Sequence, residues 1–239
     1  MNILFRCDGS VGIGMGHVVR CLALAKYIER LHKIKISFIM KKSGHANEMI
    51  KEFFPVKILN YDSNNKYREW ISKYISDKHI KIFILDVRND LKKIDLKYIK
   101  SKTGVKIVTI DDNEEKRLET DMAFYPPVPQ LDLMNWKDYG GKVFSGFEYF
   151  ILREEFSKTY SLAKNDIPKI LVSMGATDPK NITKKVLETL KDFNKKFKIV
   201  VLLGKNCPHK AEINDLIIEA SIDVDSVSYT HLTLPTKRI

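Results

Sequence analysis

Cysteine is scarce in this chain of 239 residues: Cys7, Cys21 and Cys207 form no CxxC pair and cannot all be paired within one chain. That excludes a disulfide scaffold and fits reduced thiols in a cytosol; Cys7 and Cys21 are expected to be packing residues. No apolar run approaches the length of a membrane-spanning helix, and the first residues enter a strand without a basic region or a long apolar signal core. A cytoplasmic protein without a membrane span is expected. HExxH, clustered carboxylates and Cys/His sets are also missing, so no metal and no cofactor is expected. Charge is ample but unevenly signed, with 41 Lys and Arg against 30 Asp and Glu and a formal net charge of +11. The lysines are spread over many presumed helix faces and form no compact Arg-rich stripe interleaved with aromatics, so nucleic acid is not an expected partner. A basic surface can attract an anionic nucleotide sugar or simply aid solubility.

What is present is a strand, a glycine-rich turn and a helix within the first thirty residues. MNILF is an apolar run suited to a buried strand, and Val18, Cys21, Leu22, Ala25 and Ile28 follow helical spacing. Between them Gly12, Gly14 and Gly16 leave little side-chain bulk. Backbone N–H groups at a helix start can then approach an anion such as phosphate. The spacing is neither G-x-G-x-x-G nor a Walker A loop, since His17 stands where either motif needs glycine. The second strand, KISFIM, runs into Lys41 and Lys42 and not into the acidic residue of a dinucleotide site, so NAD is not expected. His17, in the first turn of the helix, reads as a base whose neutral ring is favoured by the helix dipole, or as a histidine that merely bonds its own loop. Spacing alone leaves both open.

Helices and strands then alternate. Strands are expected at Ile34 to Met40, Lys81 to Leu85 and Lys106 to Ile110, and helices from Ser43, over Tyr67 to Ile75 and over Leu91 to Lys100. This is the rhythm of a parallel sheet covered by helices. Ligands of such sheets gather beyond the carboxyl ends of the strands, where Asp86, Arg88, Asp111 and Asp112 are expected, although each acid taken singly can be a cap or turn former. YPPVP at Tyr125 to Pro129 turns the chain into an irregular region. The first domain is expected to span 1–156, with a linker at 157–168. A second strand, glycine turn and helix follow at Lys169 to Ser173, Met174 to Asp178 and from Pro179, with Asp178 as N-cap and Pro179 in the first helical position. Lys198 to Leu203 gives another strand, and a helix lies around Lys210 to Ala220. The expected fold is α/β, two Rossmann-like domains with parallel sheets, the second (169–226) incomplete because it holds too few elements. Val227 to Thr236, VSYTHLTLPT, looks like the in-frame translation of a transposase-library sequencing adapter, so 227–239 are expected to be read-through.

Taken together, FRCDGSVGIGMGHVVRCLALA, TIDDN at Thr109 to Asn113, SGFEYFILREEF at Ser145 to Phe156 and ILVSMGATDPKNIT at Ile170 to Thr183 resemble the UDP-sugar hydrolases of pseudaminic acid biosynthesis. These enzymes remove UDP from UDP-2,4-diacetamido-2,4,6-trideoxy-L-altrose and are similar in fold to GT-B glycosyltransferases. The resemblance implies a GT-B-like fold, a UDP-sugar substrate, and His17 as the base that activates water for inverting attack at the anomeric carbon. It also implies that Arg6, Asp8, Gly14, Gly16 and Arg20 shape the sugar and diphosphate side, that Asp86 contacts substrate, and that Gly175, Thr177 and Asp178 help to hold UDP. The chain departs from the pattern in two places: Asp86, Val87 and Arg88 replace the family's Asp-x-Tyr, and Ala176 replaces a glycine. The later nucleotide-binding segment of the family would lie beyond residue 226, which implies impaired UDP binding. A glycosyltransferase using the same fold, or a non-catalytic sugar-nucleotide binding module, are the alternatives.

Overall fold

The structure, a computed structural model, describes residues 1–10, 13–59, 64–157, 167–175, 177–193, 197–204, 207–219 and 224–229. Gly12, Ala176, residues 158–166 of the expected 157–168 linker and residues 230–239 of the expected 227–239 read-through lie outside the described residues. The chain divides into two compact units, Met1–Thr159 and Tyr160–Ile239.

In the first unit β1 (Asn2–Cys7), α1 (Gly16–His32), β2 (Lys35–Lys41), α2 (Gly44–Lys51), β3 (Val56–Leu59), α3 (Asn64–Asp77), β4 (Ile80–Asp86), α4 (Lys93–Thr103), β5 (Lys106–Ile110), β6 (Met122–Tyr125) and β7 (Lys142–Ser145) follow in order. The seven strands form one sheet in the order β3-β2-β1-β4-β5-β6-β7, and every pair is parallel. The order reverses at β1, which pairs with β2 on one side and β4 on the other. That places the switch point of the sheet, where open α/β folds bind ligands, at the carboxyl ends of β1 and β4.

Alternation along the strands decides which side chain meets which helix layer. Ile3, Phe5 and Cys7 of β1 point to the layer of α1 and α2, where they pack with Val18, Cys21, Ala25 and Ile50. Phe5 stacks on Phe38 of β2 with ring centroids 5.0 Å apart. Leu4, Phe83 and Leu85 point the other way, onto Ile71 and Ile75 of α3 and Leu96 and Ile99 of α4. Both faces of the sheet are therefore covered, and its central strand is buried along almost its whole length.

The second unit contains β8 (Lys169–Ser173), α5 (Ile182–Lys191), β9 (Lys198–Gly204), α6 (Lys210–Glu219) and β10 (Val224–Tyr229). The strands pair in parallel in the order β10-β9-β8. Its core gathers Val172, Leu187, Ile199, Val201, Leu203 and Ile213. The helix expected from Pro179 begins later, at Ile182. Asp178 and Asn181 have φ of 38° and 50°, a left-handed backbone that cannot continue into a right-handed helix, so Pro179 stays in the turn.

Candidate functional site

Three side chains on α1 and one strand end build the centre of the site. His17, Arg20 and Cys21 stand at i, i+3 and i+4, on one face of the helix. Asp86 ends β4 on the same side of the sheet as Ile84, so it points at that face. Asp86 is 1% exposed and is contacted by all three of these side chains. His17 Nδ1 lies 2.6 Å from Oδ1. Arg20 donates from Nη2 to Oδ1 at 2.7 Å and from Nε to Oδ2 at 2.8 Å, a two-pronged clamp. Cys21 Sγ approaches Oδ2 at 3.6 Å. Burial pushes the Asp86 carboxyl up, but the hydrogen bonds from His17 and Arg20 outweigh it and hold the carboxyl below its ordinary value.

A histidine whose Nδ1 faces a fixed carboxylate donates through that nitrogen and leaves Nε2 as the acceptor. Among the described residues nothing engages Nε2 of His17, whose side chain is 19% exposed. The turn before it is tight. Ser10 and Gly14 exchange backbone hydrogen bonds, with Gly14 N donating to Ser10 O at 2.7 Å, and Gly14 has a φ of 84°, where a side chain would be strained. Gly16 opens α1; among the described residues no side chain caps the helix, and no acidic residue stands in its first turn. Its leading N–H groups are thus left for an incoming anion.

Arg6 and Asp8 are placed differently. Arg6 alternates with Leu4 and faces the α3 and α4 layer, and it is fully buried. Its guanidinium grips both oxygens of Asp8 at 2.6 Å, pairs with Asp90 at 2.7 Å and donates from Nε to Tyr67 Oη at 2.9 Å. Burial lowers its pKa, but Asp8, Tyr67 and Asp90 more than compensate and raise it. Asp8 Oδ1 also accepts from the backbone N–H of Lys41 at 2.7 Å. Arg6 has no donor to spare for a substrate: with Asp8 it ties the ends of β1 and β2 to the loop after β4.

The loops after β4 and β5 are stitched to each other. Arg88 donates to Asn113, Asn89 N to Glu114 Oε1 at 2.8 Å, and the buried Lys116 to Val87 O at 3.1 Å. Asp112 is a turn former, accepting from Glu114 N at 2.8 Å, and its burial, only partly offset by Lys116, raises its pKa. Asp111 has a φ of 52° and receives Nη1 of Arg20 and Nη2 of Arg88 on the same oxygen, Oδ2, each at 3.5 Å. Residues 86–90 and 111–117 were readable only as strand ends; these long-range ties between them leave no periodic signal.

In the second unit Gly175 has a φ of 79°, as a close turn requires. Asp178 is 3% exposed and accepts from the N–H groups of Ile182 at 2.9 Å and Thr183 at 2.8 Å. Its burial opposes ionisation, yet these bonds hold its pKa below the ordinary value. Thr177 lies in the same turn, between Gly175 and Asp178.

No family profile matches the chain. It is similar to an uncharacterised protein of Methanocaldococcus jannaschii (32% identity over 226 residues, 91% of this chain and 45% of that protein). A spore coat polysaccharide biosynthesis protein of Bacillus subtilis, SpsG, is 26% identical over 223 residues, 89% of this chain and 62% of its own. The UDP-2,4-diacetamido-2,4,6-trideoxy-beta-L-altropyranose hydrolase of Campylobacter jejuni is 29% identical over 199 residues, 80% of this chain and 66% of its own. The resemblance to these hydrolases read from the motifs is thereby borne out. The chain spans between 45% and 66% of the lengths of these relatives. Among solved structures, Acinetobacter baumannii MurG superposes with a TM-score of 0.63 at 11% identity, covering 97% of this chain and 68% of its own. Anabaena HepE in complex with UDP-glucose superposes with a TM-score of 0.58 at 10% identity, covering 97% of this chain and 70% of its own. At such identities the likeness speaks for the fold, which is α/β and GT-B-like.

Proposed function

We propose that this chain carries the catalytic half of a nucleotide-sugar hydrolase that releases UDP and free sugar from a UDP-linked diacetamido-trideoxy sugar, in the biosynthesis of pseudaminic acid. The observation that carries this reading is the contact between His17 Nδ1 and Asp86, 2.6 Å long, at the switch point of the sheet and the uncapped start of α1.

In this scheme Nε2 of His17 takes a proton from water as the water oxygen bonds to the anomeric carbon. The bond from that carbon to the UDP oxygen breaks, and the sugar leaves with inverted configuration. The imidazolium that forms is stabilised by Asp86, and Arg20 keeps the carboxylate from swinging away. Charge growing on the diphosphate is met by the leading N–H groups of α1 beside Gly14 and Gly16, without a metal. Arg6 and Asp8 act by fixing the floor of the site. In the second turn Gly175 and Thr177 are assigned to the nucleotide, with Asp178 holding the turn against α5.

UDP release from UDP-2,4-diacetamido-2,4,6-trideoxy-L-altrose, measured on a protein continued to the length of the relatives, tests the proposal. Release without any acceptor, reduced about a hundredfold or more in His17→Ala, is expected. Strict dependence on an acceptor hydroxyl would move the assignment to a glycosyltransferase of the same fold. Full activity in His17→Ala would overturn the role of the histidine.

A further inference from the structure

Away from the switch point, the first unit holds a cavity of about 440 Å³ where the start of β3 meets the last two turns of α3. It lies at the amino ends of the strands, because α3 carries the chain back to the beginning of β4, whereas His17 and Asp86 stand at the carboxyl ends. The local sequence explains its walls. Val56 packs into the α1 and α2 layer, so Lys57, the next residue of β3, turns with Leu59 to the layer of α3. Trp70 and Tyr74, one turn apart on α3, stack with ring centroids 5.5 Å apart and planes at 22°, half-buried against the core that holds Ile71 and Ile75. Lys73, Asp77 and Lys78 complete the charged part of the lining.

Donors outnumber acceptors in this cavity. Asp77 is the one carboxylate among the lining residues, and Lys73 already holds it at 3.0 Å. Among the described residues the ammonium groups of Lys57 and Lys78 meet no carboxylate, and the indole N–H of Trp70 and the hydroxyl of Tyr74 have no hydrogen-bond partner. Two positive charges and two polar handles thus stand unanswered beside an aromatic wall. A cation would be repelled there, and a neutral apolar molecule would use the rings but not the charges. A further strand on the outer edge of β3 is discouraged by Lys57 itself, a charge turned inward on a strand of four residues. An anion carried on a flat ring uses every group: the ring covers the aromatic pair and the charge meets the two ammonium groups. The volume falls within the roughly 300–1,000 Å³ that small-molecule sites commonly occupy.

We infer that this cavity is a second ligand site, for a planar aromatic anion no larger than a nucleoside monophosphate, with its ring against Trp70 and Tyr74 and its carboxylate or phosphate held by Lys57 and Lys78. The site stands apart from the proposed reaction, at the opposite end of the sheet, and does not rest on the sugar-nucleotide reading.

The test uses the 239-residue chain labelled with 15N at its two tryptophans and follows the indole N–H resonance of Trp70, identified by its loss in Trp70→Phe. Adenosine 5′-monophosphate and 4-hydroxybenzoate are titrated separately, each against its neutral counterpart, adenosine or 4-hydroxybenzyl alcohol, and against inorganic phosphate. A saturable shift is expected with at least one of the two aromatic anions, with its neutral counterpart and phosphate binding about tenfold more weakly or worse. A response to the nucleotide alone assigns the site to nucleotides, and a response to 4-hydroxybenzoate assigns it to aromatic acids. Replacing both lysines, Lys57→Gln with Lys78→Gln, should weaken the bound anion about tenfold while the Trp136 resonance stays in place. No shift with either anion, a neutral counterpart or phosphate that binds as well, or undiminished binding in the double variant would each overturn the assignment. Trp70 reports on this cavity and not on the surroundings of His17, so the outcome is independent of UDP release.

Discussion

The two glycine turns look alike in sequence, each running from a strand through small residues into a helix, but the helices they start are finished differently. At α1 no side chain of the described residues caps the amino terminus, and the first turn holds His17 instead of an acid. At α5 the carboxylate of Asp178 is bound to the N–H groups of Ile182 and Thr183. One helix start is left open for a ligand's negative charge, and the other already holds one from its own chain. Glycines before a helix therefore do not make an anion site unless the leading N–H groups remain unspent.

The largest expected effect separates the two units. Arg6→Leu leaves Asp8 and Asp90 buried without their cation and should destabilise the first unit by about 3–5 kcal/mol. Denaturant unfolding followed by hydrogen exchange in each unit would show protection falling in β1, β2 and β4 while β8 and β9 keep theirs; an undiminished first unit would mean that Arg6 is not the tie described. Asp178→Ala comes next. It should cost the second unit about 1 kcal/mol through loss of the cap, and it opens the N–H groups of α5, so inorganic phosphate should then perturb the amides of Ile182 and Thr183 where it did not before. Persistent insensitivity to phosphate would erase the contrast between the two turns. Acid has the smallest effect. Asp86 and Glu114 titrate below their ordinary values of 3.8 and 4.5 in the folded chain, so the stability they contribute is complete above those values and drains away as the pH falls through the depressed ones. Asp86→Asn should flatten part of this acid loss in the first unit, as read from melting temperature against pH.

Much of the site could be read before any coordinates. The spacing of His17, Arg20 and Cys21 puts them on one face of a helix, and the alternation of Ile82, Ile84 and Asp86 turns the acid toward that layer; only the pairing of β1 with β4 was needed to bring them together. The same alternation, applied to Leu4 and Arg6, turns Arg6 away to the opposite layer, where it meets Tyr67 and Asp90. Other features had no local signal. The left-handed backbone at Asp178 and Asn181, which delays α5 to Ile182, is compatible with several sequences, and Pro179 is as good in a turn as in a first helical turn. β3, β6 and β7 have four residues each, too few for a period to declare itself. The last two are joined by a stack of Phe124 on Phe144, with centroids 4.7 Å apart. Asp111 and Arg88 are 23 residues apart in sequence and meet through the packing of neighbouring strand ends.

The claim on which the reaction rests is that Asp86 fixes His17 with Nε2 facing outward as a proton acceptor. Nitrogen-15 spectroscopy of the His17 ring, at a pH where the ring is neutral, reads this directly. The proton is expected on Nδ1 in the native chain and to shift toward Nε2 in Asp86→Asn. A native ring protonated on Nε2, or a tautomer indifferent to Asp86→Asn, would contradict it.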